Sequence, residues 1–136
     1  MKIKLDEGAF LPERAHRQDA GLDLKSPRDE LIMPRGYAVI DTGVHVEIPY
    51  GMTGFLKSKS GLNVKYNITS EGVIDSGYTG SIVVKLYNHG DMPYKIQRGD
   101  KISQLVILPV VMDDVVQVDW IDGGDRGSNG FGSTGP

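Results

Sequence analysis

An all-β sandwich or barrel is the fold class that this sequence predicts, and three observations predict it. Valine and isoleucine number 24 against 14 leucines and alanines, and branched side chains suit a pleated, half-buried surface better than a helix. Several stretches alternate polar and apolar residues with a period of two. Turn residues separate those stretches at short intervals. The 136 residues make one domain, large enough to bury a core without staples. The absence of cysteine removes disulfide frameworks, thiolate metal sites and thiol enzymes from consideration.

The expected elements run as follows. Lys2 to Leu5 and Ala38 to Asp41 are short strands. In Val44-His45-Val46-Glu47-Ile48 three branched residues share one face and the polar pair takes the other. Gly54 to Lys57, Ile82 to Asn88, Met92 to Ile96 and Lys101 to Val111 complete the set. The turns are Pro34-Arg35-Gly36, Pro49-Tyr50-Gly51, Asn88-His89-Gly90-Asp91 and Arg98-Gly99-Asp100. A short helix fits only around Ser60 to Tyr66, after a serine able to cap it.

Charge and patterning exclude several functions. Fifteen basic against 18 acidic residues leave a net charge of −3, so a nucleic-acid groove built on bulk positive charge is not expected. The longest apolar run, Leu105 to Met112, is eight residues long and contains Pro109, too short for a bilayer. The opening MKIKLDEGAF carries acids where a signal peptide needs apolar residues, so a soluble cytoplasmic protein is the expectation. His16, His45 and His89 lie far apart and form no H-E-x-x-H; no G-x-S-x-G elbow occurs.

Three stretches carry chemistry. Gly72 to Ile82 (GVIDSGYTGSI) runs an apolar pair into an acid and a glycine turn, placing Asp75 at a strand end. A carboxylate there can activate water or close an Asx turn; Tyr78 can carry a ligand or pack a hairpin. Ser58-Lys59-Ser60-Gly61-Leu62 can hold an anion through hydroxyl and amides, or its serine can cap the helix. It is no P-loop, since G-x-x-x-x-G-K-[ST] occurs nowhere in the chain. The last fourteen residues, Gly123 to Pro136, contain six glycines, the composition of a mobile tail. They also hold forked Arg126, the flat ring of Phe131 and the hydroxyls of Ser133 and Thr134, parts able to close over a phosphorylated nucleotide. Gly130 to Gly135 matches G-x-G-x-x-G, but only Pro136 follows, so the helix that a dinucleotide fingerprint needs is not expected.

In their order along the chain, these stretches closely resemble the five motifs of the trimeric deoxyuridine triphosphatase (dUTPase) family. Ala20-Gly21-Leu22-Asp23-Leu24 is similar to A-G-x-D-L, and Ser60-Gly61-Leu62 to the core of R-S-G-L-A. Gly72 to Ile82 matches G-x-I-D-x-x-Y-x-G-x-I at every specified position. Arg98 to Leu105 resembles x-G-D-R-I-x-Q-L, and Arg126-Gly127 with Gly130 to Gly135 matches the fifth motif. The resemblance implies a distorted jelly-roll-like β-barrel over residues 1–122 and a mobile Gly-rich lid over residues 123–136. It implies a homotrimer with active sites shared between subunits, and no direct contact with nucleic acid or membrane. It implies hydrolysis of dUTP to dUMP and pyrophosphate with Mg²⁺, which keeps uracil out of DNA and supplies dUMP for dTMP synthesis.

Residue by residue, Asp75, Asp23 and Gln104 become the implied catalytic set. Asp75 would activate the water that attacks the α-phosphorus, Asp23 would reach the magnesium through water, and Gln104 and Ser60 would contact phosphate oxygens. Lys59, Gly61, Gly72 and Ile74 join them around the substrate. Tyr78 would lie under the deoxyribose and exclude a 2′-hydroxyl. Phe131 would cover the uracil, while Arg126, Gly132, Ser133 and Thr134 would close the phosphate end. The chain departs from the family at Lys59 and Lys101, both usually arginine, at Asn63, usually alanine, and at Thr69, where several relatives place asparagine. Base reading then falls to backbone groups of a hairpin around Ile68 to Gly72. Two other readings stay open: a dCTP deaminase, which shares the fold and would release ammonia, and a non-catalytic nucleotide sensor.

Overall fold

Val44 and Val46 are buried while His45 and Glu47 are not, the arrangement their alternation predicts. A computed structural model describes residues 1–136 and contains ten strands and one helix. They are β1 (Lys2–Leu5), β2 (Gly21–Lys25), β3 (Glu30–Ile32), β4 (Tyr37–Asp41), β5 (Val44–Glu47) and β6 (Met52–Lys57), then α1 (Ser60–Tyr66). There follow β7 (Ile68–Asp75), β8 (Val83–Asn88), β9 (Tyr94–Ile96) and β10 (Lys101–Pro109). One antiparallel six-stranded sheet has the order β2-β10-β6-β7-β8-β4, and two ribbons, β1-β5 and β3-β9, close the structure against it. This is the all-β, jelly-roll-like architecture expected.

The core lies between these layers. Leu24, Ile40, Ile68, Leu86, Ile102 and Leu105 are essentially free of solvent, and each such side chain contributes about 1.5–3 kcal/mol through burial. The opposite face of the six-stranded sheet is open, with Tyr37, Val39, Val73, Val83 and Tyr87 exposed on it. Beyond Pro109 the chain forms no further strand, and Val111, Val115, Val116, Trp120 and Ile121 touch little of their own subunit. No helix is long and apolar enough to cross a membrane.

Two strands and most of a third escape the alternation. Strand β2 carries Gly21, Asp23 and Lys25, all poor strand formers. Strand β7 places Ser70 on the core side, where its hydroxyl meets Ser103 Oγ at 2.7 Å, so polar residues interrupt its apolar face. Strand β3 has only three residues. The helix forms where expected, but no serine caps it: Lys59 is the N-cap, without a side-chain bond. Ser58 instead bridges to β7, its Oγ accepting from Ser70 N at 3.0 Å and donating to Ser70 O at 3.1 Å. The helix ends at Asn67 in the left-handed region, a conformation asparagine tolerates.

Candidate active site

Strand pairing lines up the first group of candidate residues. Asp23 on β2 faces Gln104 on β10, which faces Lys57 on β6, which faces Glu71 on β7. Leu22, Leu24, Leu56 and Leu105 point to the core, so this row projects from the open face of the sheet. Asp23 is nevertheless only 3% exposed. Lys59 Nζ donates to its Oδ1, and Lys101 Nζ lies 2.7 Å from Oδ2. Burial pushes the Asp23 carboxyl up, but bonds and charge from Lys101 and Lys59 outweigh it and hold the group below the usual carboxylate range. Two ammonium groups around one carboxylate leave one net positive charge at this spot.

Gln104 reaches across the strands, its Nε2 donating to Ser58 O at 3.0 Å. Gly21 makes room for it: a Cβ at that position would sit 2.9 Å from Gln104 Cβ and overlap its amide. Ser60 and Gly61 follow at the exposed start of α1, where a Cβ on Gly61 would meet nothing within 4 Å. Asp23, Lys59, Ser60, Gly61 and Gln104 thus gather on one side of the sheet.

Asp75 belongs elsewhere. It pairs with Thr53 and stands four residues beyond Glu71 on β7, about 13 Å along the strand from the Asp23 row. Its carboxylate is exposed and makes no hydrogen bond within the chain, so it does not close an Asx turn; only its carbonyl accepts, from Tyr78 N at 3.0 Å. It borders a groove of about 450 Å³ walled by Met52, Phe55, Val73, Val111 and Met112. Tyr78 folds back over the loop, donating from its hydroxyl to Ser81 O at 2.9 Å. Gly80 permits this, since a Cβ there would overlap the Tyr78 ring.

Beside Asp75 the sheet forks. Strands β7 and β8 pair only at Ile68↔Asn88, Thr69↔Tyr87 and Ser70↔Leu86. From Glu71 onward β7 pairs with β6 alone, while β8 keeps to β4 along Val83 to Tyr87. Backbone groups of Gly72 to Asp75 on the β8 side therefore have no strand partner. The hairpin expected around Ile68 to Gly72 is corrected by this register: residues 68–70 are closed, and the opening begins after them. Gly72 and Ile74 both flank the fork. Thr69 faces away from it, its Oγ1 2.8 Å from His89 Nε2.

The tail stands apart from both groups. Arg126 donates to Gly130 O at 3.0 Å, Phe131 is fully exposed, and Gly132, Ser133 and Thr134 form turns of their own. The sequence did not single out Lys101 as a partner of Asp23, nor Ser58 as a clamp on β7, because both contacts join residues remote in the chain.

The family model described as dUTPase matches residues 7–135. The chain belongs to the dUTPase family. It is 42% identical over 139 residues to the deoxyuridine 5'-triphosphate nucleotidohydrolase of Clostridium tetani (strain Massachusetts / E88), covering 99% of this chain and 96% of that protein. Among solved structures, the Staphylococcus bacteriophage 80alpha dUTPase with dUPNHPP superposes with a TM-score of 0.93 at 33% identity, covering 99% and 98% of the two chains. A mutant dUTPase from phage phi11 of S. aureus, described with a structural Mg(II) ion, superposes at 0.81 and 33% identity, covering 88% and 96%. Within this dUTPase no three His, Asp or Glu side chains converge to hold a metal, and the Asp23 carboxylate is already taken by two lysines. On one chain, then, no cluster of carboxylates is free to coordinate an ion directly.

Proposed function

We propose that this chain hydrolyses dUTP to dUMP and pyrophosphate, as a homotrimer whose sites draw on more than one subunit. The observation that carries this reading is the unengaged carboxylate of Asp75, placed between an apolar-walled groove and the Tyr78 loop, beside the β7/β8 fork. An acceptor with no internal partner can take a proton from water, and such a base adds about 10²–10⁴-fold to a rate. The water attacks the α-phosphorus; pyrophosphate leaves on the opposite side.

The fork offers main-chain donors and acceptors to the edge of a flat base, and the Tyr78 ring offers a face to the deoxyribose. The net positive charge of the Lys59–Asp23–Lys101 cluster, with Gln104 and the Ser60 hydroxyl, suits the phosphates. These groups stand about 13 Å along the strands from Asp75 on one subunit. A neighbouring subunit's cluster laid against Asp75 closes that gap. The exposed apolar side chains between Val111 and Ile121 and the open sheet face supply surface for such association. Residues 123–136 act as a lid in this reading, Phe131 over the base and Arg126, Gly132, Ser133 and Thr134 at the phosphates. Magnesium travels with the triphosphate as part of the substrate, lowering its charge; no side chain here is assigned to it directly.

Pyrophosphate release measured with dUTP, dTTP, dCTP and UTP, with and without magnesium, tests the assignment. Turnover confined to dUTP supports it. Ammonia from dCTP would establish a deaminase instead, and binding of dUTP without turnover a sensor. Sedimentation of the purified chain as a monomer would refute the shared site.

A further inference from the structure

The loop that carries Tyr78 is poorly tied to itself. Between Asp75 and Ile82 its internal bonds are Tyr78 N to Asp75 O and the Tyr78 hydroxyl to Ser81 O. The adjoining segment that runs from the end of β4 into β5 holds it instead. At the loop's exit, Ser81 Oγ donates to Asp41, Ile82 N donates to Val44 O at 2.8 Å, and Thr42 N and Oγ1 donate to Ile82 O. At its middle there is a single tie, from His45 Nδ1 to Thr79 O at 2.8 Å. The other ring nitrogen, Nε2, lies 3.0 Å from Asp6 Oδ2. A carbonyl oxygen and a carboxylate can only accept, so both ring nitrogens must carry hydrogen. The geometry is that of an imidazolium.

We propose that His45 is a positioning residue for the Tyr78 loop and acts as a charged bridge between Asp6 and Thr79, so that loss of its proton loosens the loop. The proposal rests on the reading of Tyr78 as the sugar platform given above. Charged groups facing the ring favour the bridge on balance. Asp6, anchored by its N–H to Gly43 O at 2.9 Å, is in direct contact. Asp41 acts from the end of β4; Lys4 on β1 opposes them but is drawn to Asp6 at 3.7 Å. Lys2 and Glu47 neutralise each other at 3.1 Å. The bond to Asp6, then that to Thr79, raises the His45 pKa from its ordinary 6.5. The bridge is therefore complete below that raised value and is lost as pH climbs through it. The proton that remains stays opposite the Asp6 carboxylate, since a lone pair there meets a full negative charge. Nδ1 then turns a lone pair on the Thr79 carbonyl, and that contact breaks.

Side-chain NMR of the full chain, with the His45 signal assigned by His45→Gln, reads the titration directly. The expected midpoint lies above 6.5 and falls in Asp6→Asn. Across the same pH range KM for dUTP should rise about fivefold, the worth of one net hydrogen bond, with kcat nearly unchanged and discrimination against UTP reduced. In His45→Gln, which cannot titrate, this pH step disappears. Amide exchange at fixed pH should be faster at Tyr78, whose N–H is the bonded amide inside the loop, in His45→Ala and His45→Gln, with β10 amides unaltered. A midpoint at or below 6.5, an unchanged pH step in His45→Gln, or wild-type protection of the Tyr78 amide in both variants would overturn the proposal. Inactivity of the wild-type chain toward dUTP would refute the hydrolase reading alone; the titration and exchange data would still decide the bridge.

Discussion

Asp23→Asn keeps the shape of the side chain and removes its charge. Two ammonium groups then face each other across a neutral amide. Breaking a fully buried ion pair costs about 3–5 kcal/mol, and an exposed pair about 0–1. Asp23 is buried, but the Lys59 and Lys101 side chains are 27% and 43% exposed, so solvent screens part of the loss. The expected cost is about 1.5–3 kcal/mol at pH 7, between those limits. Its pH dependence follows from the depressed pKa of Asp23 in the folded state. The stabilisation is fully present above the unfolded value, about 3.8, and drains away as pH falls through the lower folded value. Urea unfolding at one fixed subunit concentration, from pH 7 to 3, measures both chains. The gap between them should hold steady to about pH 4 and narrow below it. A gap that stays constant to pH 3 would refute the electrostatic account.

Asp75→Asn should lower kcat by about 10²–10⁴-fold while a non-hydrolysable dUTP analogue still binds in calorimetry; full turnover would remove the base assignment. Gly21→Ala, whose Cβ would overlap the Gln104 amide, should cost about 1–3 kcal/mol through overpacking and lower kcat/KM at least tenfold by displacing Gln104. Unchanged kinetics would show that Gln104 is dispensable. Removal of residues 123–136 should leave thermal unfolding and sedimentation unaltered and abolish efficient pyrophosphate release; an unfolded product would contradict the lid. Phe131→Trp in a Trp120→Phe background should change fluorescence on adding the analogue, and a signal blind to ligand would show that the tail does not reach the base.

The strands legible in the sequence are those with one wet and one dry face. Val44 to Glu47 and Tyr37 to Asp41 alternate cleanly because the other side of each meets solvent. Strand β2 does not read this way because its polar face is buried too: Asp23 sits in the sheet only because Lys59 and Lys101 come to it from afar. Ser70 hides β7 for a similar reason, its hydroxyl satisfied by Ser103 across the core. The candidate site was legible as local chemistry, Asp75 with Tyr78 and Gly80, and the tail with Arg126 and Phe131. What no linear pattern could state is distance. The separation of Asp75 from the Asp23 row depends on strand register, and so does the fork between β7 and β8. The tie from His45 to Thr79 spans 34 positions in the chain and has no sequence signature.

The fork has a bearing on inhibitor design. A heterocycle seated between β7 and β8 would be gripped by peptide groups, which every amino acid but proline supplies alike. Point substitution therefore offers few routes to drug resistance there. The most direct is at Gly72, where an added methyl would press on Leu56 Cδ1 at 3.1 Å and disturb the inner sheet. A compound that copies the base edge and ignores neighbouring side chains would leave escape variants little to change.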